Sequence, residues 1–316
     1  LGVLLVEHLR ENVAMARLEL LSALRAEGVQ CTWAFLGPFT LLRCQSDPLP
    51  AVGRLGMSKR AAEVEYAGPP GNAPDLAKGR AFLVSSSVLP RGDRRRLAAR
   101  VAEAQSGEPS FSSPELLLKA VLVGEILLLG RVVWERESFA HREPHRRPFR
   151  TPVSMKPKYA RLLVNLSAVP RGGRLLDPFC GAGSILIEAA LMGIEAHGSD
   201  RDPRMVEGAR ENLEALGLKA SLEVADVGEV EGEYDGIATD APYGRSSSTG
   251  GEPLRSLMRR AFATFHRVLR PGGRAAVALG DESLLALSDP LVELYRVHQR
   301  VHGSLERTYS VLARLG

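Results

Sequence analysis

Five short strand-like runs alternate with helical stretches between residues 174 and 280. They span 174–178, 195–200, 221–225, 234–239 and 274–280, and aspartates stand at or just past the ends of the first four. Each run is too short for a helix, and helical apolar spacing fills the gaps. This alternation predicts an α/β fold with a doubly wound, largely parallel sheet. Two further runs, 291–300 and 304–315, surround Gly303 and predict a terminal antiparallel hairpin. Ligands of such sheets bind outside the carboxyl ends of the strands. The aspartates therefore fall where a ligand would sit.

The first strand runs into Asp177-Pro-Phe-Cys-Gly-Ala-Gly183, and a helix is expected from Ser184. Gly181 and Gly183 let backbone approach a ligand closely. A dinucleotide would need a third glycine at position 186, which is Leu, and Asp177 would repel its pyrophosphate. S-adenosylmethionine has no phosphate and carries an ammonium and a sulfonium, so an acidic glycine loop suits it better than NAD. Asp200 is placed to accept from both ribose hydroxyls. Capping falls instead to Asp202-Pro203, an N-cap and N1 pair. Asp226-Val227 is placed at the adenine. The expected cofactor residues are Asp177, Phe179, Gly181, Gly183, Asp200, Asp226 and Val227. Cys180 reads as a small apolar residue rather than a nucleophile.

The fourth strand delivers Asp240-Ala-Pro-Tyr243 to the same crevice. An exocyclic amine is a poor nucleophile because its lone pair is delocalised into the base. A carboxylate accepting its N–H localises that pair. Pro242 stiffens the turn and donates nothing, and Tyr243 offers a face to a base. The expected catalytic residues are thus Asp240, Pro242 and Tyr243. Guanine presents two adjacent donors, which a carboxylate can accept together, whereas adenine suits an amide better. Adenine-N6 methylation of RNA or DNA remains an alternative, as does an RNA-binding module that no longer catalyses.

The preceding half is organised differently. Residues 1–68 read βαββαβ, a ferredoxin-like order. A linker rich in Pro and Gly, 67–74, leads into a second small α+β unit, 69–140. Segment 141–160 is basic and extended, and the sheet domain occupies 161–316. Arg142, Arg146, Arg147, Arg150, Lys156 and Lys158 are expected to meet phosphates, with Arg245 in the Ser-rich loop. Arg94, Arg95 and Arg96 form a second candidate patch. The net charge of +4 permits a nucleic-acid partner without establishing one. No apolar run is long enough to span a bilayer, and Leu1–Val6 lacks a basic leader, so a cytoplasmic protein is expected. Three cysteines make neither a disulfide scaffold nor a zinc site, and no metal is expected. Cys31 and Cys44 would face each other across a hairpin turning at Gly37-Pro38. Two buried thiols are the favoured reading over a bridge.

The runs SFAHREPHRRPFRTPVSMKPKYARLLVNLS, LLDPFCGAGSILIEAALMGIEAHGSD and DAPYGRSSS closely resemble archaeal tRNA guanine-10 N2-methyltransferases, including dimethylating members. The match is most specific over residues 138–248. The resemblance implies a Rossmann-like class I methyltransferase domain, S-adenosylmethionine as donor, tRNA as substrate, and a THUMP module after the ferredoxin-like part. It puts cofactor binding on Asp177, Gly181, Gly183, Asp200 and Asp226, and amino-group activation on Asp240 to Tyr243. Ala241 departs from the family's commonest motif, which has a second proline there. A monomer is expected.

Overall fold

A computed structural model describes residues 2–152, 154–243, 251–302 and 305–316. In chain order the first elements are β1 (Val3–His8), α1 (Val13–Ala26), β2 (Cys31–Leu36), β3 (Phe39–Cys44), α2 (Leu49–Val52) and β4 (Ser58–Gly68). Next come β5 (Phe82–Leu89), α3 (Arg94–Glu103), β6 (Leu116–Val123), β7 (Ile126–Glu135) and α4 (Pro157–Leu166). The alternating part follows: β8 (Arg174–Asp177), α5 (Ser184–Leu191), β9 (Glu195–Asp200), α6 (Pro203–Ala215) and β10 (Ser221–Val224). It ends with β11 (Tyr234–Asp240), α7 (Leu254–Val268), β12 (Leu269–Leu279), β13 (Val292–His302) and β14 (Leu305–Ala313). Among the described residues, no helix is long and apolar enough to cross a membrane.

The chain forms two compact units. The first comprises residues 1–13, 29–53 and 58–137, and the second comprises 14–28, 54–57 and 138–316. The first unit is built on a seven-stranded sheet in the order β2-β3-β1-β4-β7-β6-β5. Its β2-β3-β1-β4 portion has the strand order of a ferredoxin-like sheet. β4 pairs antiparallel with β7, so strands from either side of the 67–74 linker share one sheet. Inside it, buried Lys119 reaches the Glu7 carboxylate at 2.7 Å and lies over the Phe39 ring. A buried cation persists only with such partners.

One expectation here needs correction. Cys31 and Cys44 do face each other across the β2–β3 hairpin, but they form a disulfide rather than two free thiols. Direct register opposition brings the two side chains within bonding reach, which outweighs the prior against bridges set by redox compartment.

The second unit carries the predicted doubly wound sheet, in the order β10-β9-β8-β11-β12-β14-β13. β10, β9, β8, β11 and β12 run parallel, and β14 joins antiparallel beside β12 with β13 beyond it. The strand order reverses between β8 and β11, where a crevice opens at the carboxyl ends. α7 buries Leu257, Met258, Ala261, Phe262, Phe265 and Val268 along one stripe, which closes the core beside β11 and β12. Residues 54–57 and α1 are held in this unit by polar contacts. Buried Glu19 accepts from the Gly56 and Met57 amides, each at 2.8 Å, and from Asn165 Nδ2 at 3.0 Å. Arg54 donates to Glu27, Asn165 and the Val169 carbonyl.

Candidate functional site

A cavity of about 520 Å³ opens at the carboxyl ends of β8, β9, β10 and β11. Asp177, Asp200, Asp226 and Asp240, one from each strand end, all line it. Parallel register puts the ends of neighbouring strands side by side, so aspartates far apart in sequence converge.

The glycine loop forms its floor. Gly181 and Gly183 adopt φ of 48° and 78°, the left-handed region that glycine enters without strain. A Cβ on Gly183 would lie 3.1 Å from Ala209 Cβ on α6, which is too close for comfort, whereas a Cβ on Gly181 would meet nothing within 4 Å. Glycine at 183 is therefore favoured by φ, and a side chain there would also press on Ala209. The loop is tied down by its own sheet. The Cys180 amide donates to the Ser199 carbonyl at 2.9 Å, and the Gly181 amide donates to Asp200 Oδ2 at 3.0 Å. Asp200 Oδ1 accepts from the Asp202 amide at 3.0 Å. As expected from Asp202-Pro203, Asp202 caps α6 and Pro203 opens it.

Asp177 is buried at 1% exposure. The Thr239 hydroxyl donates to its Oδ1 at 2.7 Å and the Phe179 amide at 3.3 Å. Burial nevertheless pushes its carboxyl up to about 7, against the pull of those two donors. Asp200 is likewise raised by burial, against the Asp202 and Gly181 amides. Asp226 behaves oppositely. Hydrogen bonding from Arg260 holds its carboxyl below the usual range, and the Gly228 amide adds a contact at 2.9 Å. The same Arg260 donates to Glu252 at 2.7 Å. Val227 is buried beside it, and buried Cys180 has its thiol pushed up by burial, which leaves it unreactive.

At the far end, the Tyr243 hydroxyl donates to Asp240 Oδ1 at 2.5 Å. Its ring covers Gly280, where a Cβ would fall 2.2 Å from Tyr243 Cδ1. Burial raises the Asp240 carboxyl, opposed by nearby Arg307 and by the Tyr243 hydroxyl. Ala241 is buried, and Pro242 lines the cavity next to it.

Residues 144–304 match the family model described as UPF0020, an RMKL-like methyltransferase domain. The tRNA (guanine(10)-N2)-dimethyltransferase of Methanothermobacter thermautotrophicus is 41% identical over 231 residues, covering 70% of this chain and 68% of that protein. The chain belongs to this dimethyltransferase family. The Pyrococcus abyssi dimethyltransferase is 35% identical over 228 residues, covering 69% of this chain and 68% of its own. The crystal structure of TrmN from Thermus thermophilus shares the fold with a TM-score of 0.59 at 19% identity, over 99% of this chain and 100% of that one.

For this dimethyltransferase family member, the basic segment divides in two. Arg142 is 1% exposed, and its Nε donates to Glu188 Oε1 at 2.7 Å. Arg161 Nε donates to Glu188 Oε2, also at 2.7 Å. Both guanidiniums stack over Phe139, at 4.5 and 5.4 Å. Arg147 is buried and donates to the Ser184 hydroxyl at 2.7 Å and the Arg142 carbonyl at 2.9 Å. Arg142 and Arg147 are therefore corrected from phosphate contacts to internal anchors, because a buried counterion and α5 already hold them. Arg146, Arg150 and Lys156 are exposed, and half-buried Lys158 lies 4.8 Å over the Tyr159 ring. Arg245 lies outside the described residues. The anchored segment continues into Thr151, Ser154 and Met155, which line one wall of the cavity.

Sequence reading missed Thr239, Arg260, Glu188 and Arg307. Glu188 left a faint signal as the single charge in α5, and Thr239 as a hydroxyl following the apolar Ile237 and Ala238 in β11. Arg260 and Arg307 left none, because their partners are distant in sequence.

Proposed function

We propose that this chain transfers methyl groups from S-adenosylmethionine to the exocyclic N2 of a guanine in tRNA, guanine 10 in particular, once or twice per site. The observation that carries this reading is Asp240. It is a partly buried carboxylate on the rim of a cavity of cofactor size, followed by Pro242 and Tyr243. Family membership and the relatives' substrate support it. Asp177 and Asp200 flank the glycine loop within the cavity, which suits a cation there better than a pyrophosphate, and Gly181 leaves room for a ligand to approach the backbone.

The residues divide the work as follows. Asp177 and Asp200 hold the cofactor's positive and hydroxyl groups, and the Gly181–Gly183 backbone lets it lie close. Asp226 and Val227 border the adenine end. When bound, the cofactor would supply an electrophilic methyl on sulfur, with a neutral thioether as the leaving group. Asp240 accepts an N–H of the target amine, localises its lone pair and receives the proton as the N–C bond forms. Its raised carboxyl suits that acceptance. Tyr243 fixes the carboxylate through its hydroxyl and borders the base. Residues 1–68 and 69–140, read as ferredoxin-like and THUMP-like parts, together with Arg146, Arg150 and Lys156, would bind tRNA. The protein would act as a cytoplasmic monomer.

The decisive experiment treats an unmodified tRNA transcript with labelled S-adenosylmethionine and maps the nucleosides. N2-methylguanosine and N2,N2-dimethylguanosine are expected. N6-methyladenosine with no guanine product would replace this reading by the adenine one.

Cofactor binding should also move protons. Asp177 titrates near 7 in the folded chain, and a cation placed against it favours the ionised form. Binding at pH 7 is therefore expected to release about half a proton per site, measured by calorimetry in buffers of different ionisation heat. The linkage has a matching sign in stability. An acid raised on folding binds more protons when folded, so its contribution is present below the unfolded value of 3.8 and is lost as pH rises through about 7. Asp177→Asn should abolish the release and flatten that decline. Equal proton release from both proteins would remove Asp177 from the cation site.

A further inference from the structure

Arg307, on β14, meets the target end of the cavity from the hairpin. Its Nη2 lies 3.6 Å from Asp240 Oδ2, and both side chains are 18% exposed. That separation is an ion pair but longer than a hydrogen bond. The guanidinium also lies over the Tyr243 ring, 5.1 Å from its centroid. Tyr309 borders it too, and its hydroxyl donates to Gln299 Oε1 at 2.9 Å. Among the described residues, Arg307 Nε is buried and has no hydrogen-bond partner. Arg307 does not line the cofactor cavity, whereas Asp240 and Tyr243 do. The guanidinium thus borders Asp240 and Tyr243 without itself lining the cofactor cavity.

A carboxylate and a guanidinium side by side make a specific template. The carboxylate accepts from two donors, and the guanidinium donates in a fixed plane. Guanine's Watson–Crick edge presents an amino group, a ring N–H and a carbonyl oxygen in that order. Adenine presents an amino group where guanine has its carbonyl, so it would set donor against donor. The guanidinium lies over the Tyr243 ring and beside the Asp240 carboxylate, so a base edge that reaches the carboxylate meets the guanidinium next to it.

We propose that Arg307 is a specificity-determining residue that donates to the O6 carbonyl of the target guanine while Asp240 accepts from its N1 and N2. This deepens the guanine-N2 reading and rests on it. Asp240 then needs no separate device to reject adenine. The charge of Arg307 has a second effect, because it opposes the burial that would otherwise neutralise Asp240. Arg307 is a donor from a strand of the sheet, so its position is set by the β12–β14 and β13–β14 ladders rather than by a loop.

The test replaces the target guanine with 6-thioguanine, which keeps the N1 and N2 donors but exchanges O6 for a poor acceptor. Wild-type protein is expected to methylate guanine with a kcat/KM about 10- to 100-fold above that for 6-thioguanine, the range for losing a hydrogen bond to a charged donor. Arg307→Gln should lower guanine methylation by a similar factor and bring the ratio of the two substrates close to one. Its S-adenosylmethionine affinity, read by calorimetry, should match wild type, which also establishes that the variant folds. A wild-type ratio near one overturns the proposal without any variant and leaves guanine methylation intact. A high ratio retained by Arg307→Gln overturns it as well. A wild type that methylates no guanine refutes the parent reading, and this proposal with it.

Discussion

Asp240→Ala is expected to reduce methyl transfer by about 10³-fold or more, while S-adenosylmethionine and tRNA affinities stay within about threefold. The rate depends on an acceptor aimed at the amine as charge develops on nitrogen, and alanine offers none. The cofactor keeps Asp177 and Asp200 in the variant, and tRNA keeps the exposed basic residues outside the cavity. The substitution also strips the Tyr243 hydroxyl and Arg307 of their shared partner. Some local rearrangement is therefore part of the effect, and Asp240→Asn provides the control. Asparagine preserves shape and one acceptor but loses the second acceptor and the charge. It should recover little activity on guanine. Single-turnover methylation of a tRNA transcript, set beside calorimetric binding of both ligands, makes the measurement. Activity within a few-fold of wild type in Asp240→Ala would show that proton acceptance lies elsewhere.

The contrast between Asp240 and Arg307 shows what a sequence discloses about such a site. Asp240 was legible because the strand alternation fixes where carboxyl ends must lie, and Pro242 and Tyr243 follow it directly. The same reasoning puts Asp177, Asp200 and Asp226 at one crevice, and all three line the cavity. Arg307 was not legible, because its relation to Asp240 exists only once β14 inserts antiparallel beside β12. No local pattern encodes that pairing. Asp226 was half legible: its strand end was foreseen, but the guanidinium of Arg260 that occupies its carboxylate comes from α7. The disulfide was legible as a register and misjudged as chemistry.

The basic segment is the sharpest case, since composition alone suggests a solvated positive surface. Two of its arginines are instead interior groups, and the sequence did hold a clue. α5 reads SILIEAAL, a helix of apolar and small residues with Glu188 as its single charge. An acid fully buried at 0% exposure demands cationic partners, and Arg142 and Arg161 supply them. Glu188→Ala is accordingly expected to destabilise the chain by about 3–5 kcal/mol, because it removes the buried carboxylate that both guanidiniums share. The loss should be read from denaturant unfolding of the full chain. Arg146→Glu with Arg150→Glu should do the reverse. Both side chains are exposed, so the unfolding midpoint should hardly move, while tRNA affinity falls and the slope of log affinity against log salt loses about two. If the Glu188 substitution left stability unchanged while the exposed pair lowered it, the division of this segment into anchor and contact would be inverted. The anchor also bears on catalysis. Arg147 fixes the segment to Ser184 at the start of α5, and the residues that follow form a wall of the cavity. Weakening the Glu188 cluster should therefore raise the KM for S-adenosylmethionine at temperatures where the fold persists, with no change in which base is methylated.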